Sequence, residues 1–387
     1  MAIQARGTLT DYYAIAFLNS VAATLIGCAV YFWLRVRFGY GDVENLLVGA
    51  LYGLMYAIGA RWGGQLTDRI GADRSLRWAL AALAATLSVG WLSAHRAVPF
   101  VLMAFYGLVV APTWTALEGA VLHVPSPMKV SRRVGLYNIV WSAANAAALL
   151  LSGVLIAWRA DAVVWGAGLI HALALAGALR LGRRPRPSVA VPAAPDVRRP
   201  ANGRRQLMTL SWIGNGLAYV LQWVFFALLP HLAERMHWSP SWSLWMTLAF
   251  FLTRCASFYI FWQWEGWHDR PGWSHAALWA APLCLGSIYA WPTPALVLPL
   301  LATMGVAFGL TYYASIYYTL EAGDAKATQG GLHEAMIGLG ACLGPLMGSA
   351  AVFATKSSTA GALLVVALVL VVNGVGTWAV RRFVPPD

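Results

Sequence analysis

The sequence predicts an all-α integral membrane protein with twelve transmembrane helices, arranged as two pseudo-symmetric six-helix bundles. Of the 387 residues, 59% are hydrophobic and only 11% are charged, too few charged side chains to cover a soluble protein of this size. Apolar runs of about 20 residues recur along the chain, which is the length that an α-helix needs to cross the hydrocarbon core. The two halves of the chain also carry short matching sequences at a nearly constant separation.

The apolar runs divide the chain into twelve predicted helices. The ninth is the shortest and is interrupted by Pro282. The predicted spans are residues 12–34, 45–61, 76–94, 99–119, 134–157, 162–181, 207–229, 241–261, 276–290, 294–320, 331–355 and 359–380.

The basic residues of the loops predict the side of the membrane on which each loop lies. With the N-terminus inside, twenty of the 27 Lys and Arg residues fall in cytoplasmic segments and six in external loops, while Arg254 lies within a predicted helix. Because basic residues accumulate on the cytoplasmic side, this distribution places both termini in the cytoplasm.

A linker separates two predicted domains, an N-terminal bundle at 1–181 and a C-terminal bundle at 207–387. Residues 182–206 are rich in Pro, Arg and Ala, a composition typical of a flexible cytoplasmic linker. Matches between the halves at offsets of 196 to 202 residues favour a duplicated six-helix unit. The matching pairs are Gly135-Leu136-Tyr137-Asn138 with Gly331-Leu332-His333-Glu334, Gly107-Leu108 with Gly309-Leu310, Asp68-Arg69-Ile70-Gly71 with Asp269-Arg270-Pro271-Gly272, and Asn19 with Asn215.

A charged stretch between predicted helices 2 and 3 has the pattern Gly-x-Leu-x-Asp-Arg-x-Gly, from Gly64 to Gly71. It resembles the cytoplasmic loop between helices 2 and 3 of the major facilitator superfamily, where it acts as a conformational gate. The two glycines permit a tight turn and close helix approach. Asp68 is a negative charge suited to the positive end of a neighbouring helix, and Arg69 and Arg74 hold the loop in the cytoplasm.

The resemblance covers essentially the whole chain and implies a transporter of bacterial type in the inner membrane. In that family two six-helix bundles rock about a central site and expose it to each side in turn. Helices 1, 4, 7 and 10 line the cavity, with helices 2, 5, 8 and 11 beside them. The chain departs from the family pattern at Ala72 and Asp73, where the family usually has two basic residues.

Polar side chains within the predicted helices are candidates for lining the substrate cavity, because a polar group in hydrocarbon needs a partner or water. Several recur on one helix face, at spacings of three or four residues. Hydrogen bonding between packed helices is the alternative explanation. The candidates are Asn19, Asn138, Asn145, Asn215, Tyr219, Gln222, Arg254, Tyr313 and Tyr317.

Arg254 is the sharpest of these candidates, because a guanidinium group within the membrane must be compensated. Three interpretations are open. Arg254 binds an anionic cargo such as a carboxylate or phosphate, or it pairs permanently with Glu334 or Glu118, or its side chain extends to the cytoplasmic surface.

Three titratable residues are candidates for proton coupling. His333 and Glu334 open predicted helix 11, and Glu118 lies at the cytoplasmic end of predicted helix 4. A carboxyl group removed from water and a histidine can both exchange protons near neutral pH. Stabilisation of the helix end by the negative charge of Glu334 is the competing explanation.

The function predicted from these observations is secondary active transport of a small solute, with an anion as one candidate cargo and protons as the driving gradient, by a monomer in contact with membrane lipid. The sequence has no phosphate-binding loop, no His-Glu-x-x-His and no metal-type cysteine spacing, so we expect no enzyme activity, cofactor or metal. The basic residues lie in short loops, which argues against nucleic acid. Alternatives are a transport-inactive sensor or assembly partner, an intramembrane enzyme using His333 and Glu334, and, within transport, export of amphipathic compounds rather than import of organic anions.

Overall fold

The computed structural model describes residues 8–124, 126–182, 204–321 and 327–384, and twelve long helices account for nearly all of them. The helices are α1 (Leu9–Phe38), α2 (Asp42–Ile70), α3 (Ala72–Gly90), α4 (Val98–His123), α5 (Val130–Trp158), α6 (Ala162–Gly182), α7 (Arg204–Ala227), α8 (Pro240–Gln263), α9 (Pro271–Ala290), α10 (Pro294–Glu321), α11 (Ala327–Thr355) and α12 (Ser358–Phe383). We call the end of the molecule where α1 begins and α12 ends the terminal end, and the opposite end the far end.

The twelve predicted spans correspond one to one to these helices, and the all-α membrane fold is confirmed. Ten of the helices are long and apolar enough to cross a membrane by composition alone. The exceptions are α3, which begins with Asp73, Arg74 and Arg77, and α9, which contains Pro282. Most of the predicted linker, 182–206, lies outside the described residues.

The stretch between predicted helices 2 and 3 is almost entirely helical, which corrects the expectation of a loop. The helix α2 continues to Ile70, α3 begins at Ala72, and only Gly71 joins them. Gly71 has φ of +87°, a conformation that favours glycine and that ends α2 at this residue. Gly63 and Gly64 are buried in contacts with other helices, so α2 does not end there.

The two six-helix bundles use the same helix pairs. In the first bundle α1 contacts α5 and α6, α2 contacts α4, and α3 contacts α4 and α6. Adding six to each number gives the pairs of the second bundle: α7 with α11 and α12, α8 with α10, and α9 with α10 and α12. This recurrence is the structural form of the internal repeat.

Gly107 and Gly309, which match in sequence, occupy the same position in the two bundles. A Cβ atom added to Gly107 would lie 2.5 Å from the backbone oxygen of Tyr52, so α4 approaches α2 closely there. A Cβ atom at Gly309 would meet the side chain of Ser257 and bring α10 into conflict with α8. Small residues permit this close packing, which supplies dispersion contacts where lipid offers no hydrophobic driving force.

The bundles meet through two helix pairs, α2 with α11 and α5 with α8. The pair α2 and α11 is in contact from Leu46 and Gly348 toward the far end to Gly64 and Gly331 near the terminal end. Between these points a Cβ atom added to Gly338 would lie 2.5 Å from the backbone nitrogen of Ala57, and one at Gly53 would overlap the backbone of Ala341 and Cys342. Glycines therefore set the distance between the bundles.

The first helix of each bundle is interrupted on its way to the far end. A π-helical turn at Leu25–Ala29 widens α1. The helix α7 stops at Ala227, and a short helix, Leu229–Arg235, continues in its place with Pro230 in its first turn. These interruptions adjoin the cavity described below, because Gly27, Cys28 and Phe226 belong to its wall.

Candidate functional site

A cavity of about 120 Å³ lies between the two bundles. Residues from α1, α2, α4 and α5 of the first bundle and from α7, α8, α10 and α11 of the second form its wall. Ten of the 21 lining side chains are aromatic. The charged groups on the wall are Arg254, Glu118 and Glu334.

Arg254 is only 2% exposed and points into this cavity from α8. One terminal nitrogen donates to Oε1 of Gln222 at 3.2 Å, and the other donates to the hydroxyl oxygen of Tyr219 at 3.1 Å. Both acceptors are neutral and lie on α7. The Nε–H group is buried and has no hydrogen-bond partner among the described residues. The guanidinium group therefore keeps donor capacity for another acceptor.

Aromatic rings cover the guanidinium group of Arg254. Its Cζ atom lies 4.7 Å from the ring centroid of Trp141, across the bundle interface, and 5.6 Å from that of Tyr312. The electron-rich faces of such rings stabilise a buried cation. Within the described residues no carboxylate forms an ion pair with Arg254, so a permanent pair with Glu334 or Glu118 is absent there. Its burial also excludes extension to the surface.

Glu334 lines the same cavity from α11. The hydroxyl group of Tyr56, on α2, donates a hydrogen bond to its Oε2 atom across the bundle interface. Nδ1 of His333 lies 3.8 Å from Oε1 of Glu334. Glu118 reaches the same cavity from α4 and is partly exposed to it. The two carboxyl groups therefore share one cavity.

His333 belongs to the second bundle rather than to the cavity wall. Its Nε2 atom lies 3.0 Å from the hydroxyl oxygen of Ser315 on α10 and 3.2 Å from the side-chain amide of Asn215 on α7. The ring therefore links three helices behind Glu334. Asn215, a predicted cavity residue, is held in this bundle contact.

The other predicted asparagines divide between the wall and the packed interior. Asn145 lines the cavity and accepts a hydrogen bond from Thr24 at 2.8 Å. Asn19 is fully buried and donates to Thr113 on α4 at 2.9 Å, and Asn138 accepts from the indole of Trp141 at 3.0 Å. Asn19 thus joins α1 to α4, Asn138 is bonded within α5, and neither belongs to the wall.

On α10 the cavity residue is Tyr312, whereas the predicted Tyr313 and Tyr317 are not among the lining residues. The ring of Tyr317 stacks on His268 with centroids 4.2 Å apart, and Tyr313 contacts Trp267. Both belong to an aromatic cluster near the terminal end. Adjacent helical residues point about 100° apart, so an error of one position moves a side chain off the wall.

The predicted gate residues lie at the junction of α2 and α3. Gly64 is buried. A Cβ atom added to Gly331 of α11 would lie 3.5 Å from the Cα atom of Gly64. Asp68 follows Gly64 by one helical turn and is exposed at the terminal end. Arg69 on α2 and Arg74 on α3 are also exposed there. The junction thus contacts the second bundle through Gly64.

A group of charged and polar residues that the sequence did not predict joins the bundles at the far end. Arg35 of α1 forms ion pairs with Asp42 of α2 and with Glu234, in the short helix after α7. Asp42 also lies 3.2 Å from Nδ1 of His231 and accepts a hydrogen bond from Ser358 of α12 at 2.5 Å. We call these five residues the far-end ion cluster.

The far-end ion cluster gave no sequence signal, because its members lie far apart in the chain. Arg35 and Glu234 are separated by 199 residues and Asp42 and Ser358 by 316. The feature that could have indicated the cluster is that each of its members is a polar residue beside a predicted external loop.

The sequence model of the Major Facilitator Superfamily matches residues 12–345. Comparison with curated proteins gives no match. Among solved structures, the nucleoside transporter NupG superposes with a TM-score of 0.73 at 13% identity, covering 97% of this chain and 99% of that chain.

Two further transporters have the same fold. A bacterial homologue of the human lysosomal transporter Spinster, inward-facing and unoccupied, gives a TM-score of 0.73 at 14% identity, with 97% of both chains covered. The human organic anion transporter MFSD10 gives 0.63 at 16% identity, covering 95% of this chain and 98% of that chain. At such identities the likeness is one of fold.

Proposed function

Because the chain belongs to the Major Facilitator Superfamily and is a secondary transporter, we propose that its cargo is a small organic anion bound by Arg254. The observation that carries this proposal is a buried guanidinium group on the cavity wall whose hydrogen-bond acceptors are the neutral side chains of Gln222 and Tyr219. A buried charge is costly unless it is compensated, and a bound carboxylate would compensate this one.

The proposal gains support from the donor geometry of Arg254. A guanidinium group has five N–H donors, and the buried Nε–H has no acceptor among the described residues. A planar carboxylate can accept from two of these donors at once. One structural neighbour, MFSD10, is named an organic anion transporter.

Proton coupling through Glu334 and Glu118 would let the protein accumulate this anion. Moving one negative charge into a cell against a membrane potential costs about 2.3 kcal/mol per 100 mV, and a proton carried with the anion cancels that charge. Both carboxyl groups lie in the cavity with Arg254. We assign import by proton symport, and no catalytic role for His333, whose ring is engaged with Ser315 and Asn215.

The same proposal places the protein in a bacterial inner membrane as a monomer, with both termini in the cytoplasm. The terminal end is then the cytoplasmic end, in agreement with twenty of 27 basic residues in segments on that side. A single chain supplies all of the cavity wall described here, which supports transport by a monomer.

The test of the anion site is calorimetric binding of acetate, cyclohexanecarboxylate and benzoate to the purified protein. We expect at least one to bind, and Arg254→Gln to weaken it by more than about 30-fold, because a charge-assisted hydrogen-bonded pair is lost. Arg254→Lys should recover part of the affinity, since a point charge does not reproduce a bidentate contact.

Arg133→Gln is the matched control, because Arg133 is also buried but donates to the backbone oxygen of Val124 away from the cavity. It should leave binding unchanged. The absence of binding by all three acids to the wild type, or wild-type affinity in Arg254→Gln, would reject the anion site.

Proton coupling is tested in proteoliposomes with Glu334→Gln. We expect this variant to lose accumulation driven by a pH gradient while it still exchanges internal for external anion, because exchange needs no net proton release. Glu265→Gln, in the connection between α8 and α9, should behave as the wild type. Normal gradient-driven accumulation in Glu334→Gln would transfer the role to Glu118, for which the same measurement applies.

A further inference from the structure

We propose that the cargo is an aromatic monocarboxylate, whose carboxylate binds Arg254 and whose ring lies among the aromatic side chains of the cavity. This inference rests on the anion site proposed above and specifies its substrate class. It depends on three independent features of the wall: the rings around the guanidinium group, the near absence of branched aliphatic side chains, and the balance of charge.

Four aromatic rings surround the guanidinium group of Arg254. Besides Trp141 and Tyr312, the ring centroids of Phe258 and Tyr219 lie 5.8 Å and 5.9 Å from Cζ. The ring of Trp141 meets those of Phe258 and Tyr312 edge to face, with centroids 5.3 Å and 5.1 Å apart. A planar ligand joined to the guanidinium group can extend the same pattern of ring contacts.

A second ring pair lies farther along the same wall. Tyr52 of α2 and Trp223 of α7 stack across the bundle interface with centroids 4.5 Å apart and an interplanar angle of 26°. Both are cavity residues. Among the 21 lining side chains, Ile337 is the only branched aliphatic one. The wall therefore offers ring faces and edges, which reward an aromatic ligand over a saturated one of equal size.

The charges on the wall favour one carboxylate and disfavour two. Among the lining residues that the structure describes, Arg254 is the single cation, whereas Glu118 and Glu334 are two acidic groups. A dicarboxylate would satisfy Arg254 with one group and bring the other toward acidic side chains, where like charges repel. A monocarboxylate leaves the two glutamates free to bind protons.

The experiment compares benzoate with cyclohexanecarboxylate, two acids of equal charge and similar size, and with the dianion phthalate, by calorimetry on the purified wild-type protein. We expect benzoate to bind roughly three- to tenfold more tightly than cyclohexanecarboxylate, the range expected from a favourable ring contact. Phthalate should bind more weakly than benzoate.

The variant Trp141→Leu tests whether the ring of Trp141 causes the preference for benzoate over cyclohexanecarboxylate. This change should reduce the ratio of the two affinities toward one while cyclohexanecarboxylate still binds, because Arg254 remains. Trp141→Phe should keep most of the preference. Trp158→Leu, on the same helix but exposed at the far end, should keep all of it.

The outcomes separate this inference from the proposal beneath it. Equal affinity of the wild type for benzoate and cyclohexanecarboxylate, or phthalate binding as tightly as benzoate, would overturn the aromatic monocarboxylate and leave the anion site standing. An unchanged ratio in a folded Trp141→Leu variant and in Trp223→Leu would also overturn it. Failure of every acid to bind would remove the anion site itself.

Discussion

The two ends of the interface between the bundles are held together by different kinds of contact. At the far end, Arg35, Asp42, Glu234 and their neighbours join the bundles through charge. Toward the terminal end, Gly338 approaches the backbone of Ala57, and Gly135 packs against the indole of Trp262. The far end depends on ions near water, and the terminal end depends on the close fit of glycines against a neighbouring backbone or ring.

This difference indicates which property of the contacts between the bundles controls opening of the cavity at each end. A partly exposed ion pair contributes little once its charges can be hydrated, and salt weakens it further. Close packing has no such substitute, because an added methyl group at a glycine contact must move a backbone. We therefore expect the far end to respond to charge and ionic strength, and the terminal end to respond to side-chain volume.

The native cysteines provide a common reporter for both ends. Cys28 lies on the cavity wall and is 1% exposed, so its reaction with a charged maleimide measures opening of the cavity. Replacing Cys255, Cys284 and Cys342 with alanine leaves Cys28 as the single thiol.

The largest effect is expected from Gly338→Val. The new Cβ atom would lie 2.5 Å from the backbone nitrogen of Ala57, and relieving such overpacking costs about 1–3 kcal/mol. Because the conflict is between bundles, the variant should fold, and alkylation of Cys28 should accelerate more than tenfold. Gly216→Val is the control, since an added Cβ atom there meets nothing within 4 Å. Equal rates in the two variants would show that volume does not close the terminal side.

An intermediate effect is expected from Asp42→Asn, which removes the charge shared by Arg35 and His231. Loss of about 1 kcal/mol of cross-bundle attraction should raise the alkylation rate of Cys28 roughly fivefold at low salt and much less at 1 M salt. Glu44→Gln tests specificity, because Glu44 pairs at 3.4 Å with Arg96 of the same bundle. A salt-independent change in Asp42→Asn would contradict an ionic contact.

The smallest effect is expected from Asp68→Asn at the terminal end. Asp68 lies one turn beyond Gly64, which adjoins Gly331 at the beginning of α11. A negative charge near a helix N-terminus is worth up to about 1 kcal/mol, so we expect alkylation to rise two- to fivefold without loss of folding. Glu265→Gln, on the same side of the molecule, is the control. Wild-type rates in Asp68→Asn would exclude this residue from closing the cavity.

The sequence predicted the fold well because the relevant information is local. Hydropathy and loop charge located twelve helices, and the repeat indicated two equivalent bundles. The prediction of a loop between α2 and α3 was wrong. Gly63 and Gly64 are typical of a loop in sequence, and only the helices that bury them explain why α2 continues through both.

The candidate site was harder to predict, because membership of the wall depends on helix rotation. The pattern located Arg254 and Glu334 but gave no way to choose their partners, which lie on α7, α5 and α2. It placed Tyr313 beside the cavity, where Tyr312 lies. The far-end ion cluster required the three-dimensional arrangement of segments hundreds of residues apart.

The π-helical turn at Leu25–Ala29 sets how far the second part of α1 is rotated about the helix axis relative to the first part. If these five residues tightened to α-helical geometry, the segment from Val30 to Phe38 would turn by about 100° and advance by roughly 1.5 Å relative to the start of the helix. That rotation would carry Arg35 away from Asp42 and Glu234. Cys28, on the cavity wall, lies within the same turn. Tightening of the π-helical turn beside the cavity would thus rotate the rest of α1 about its axis. That rotation would break the ion pairs of Arg35 at the far end without bending the helix.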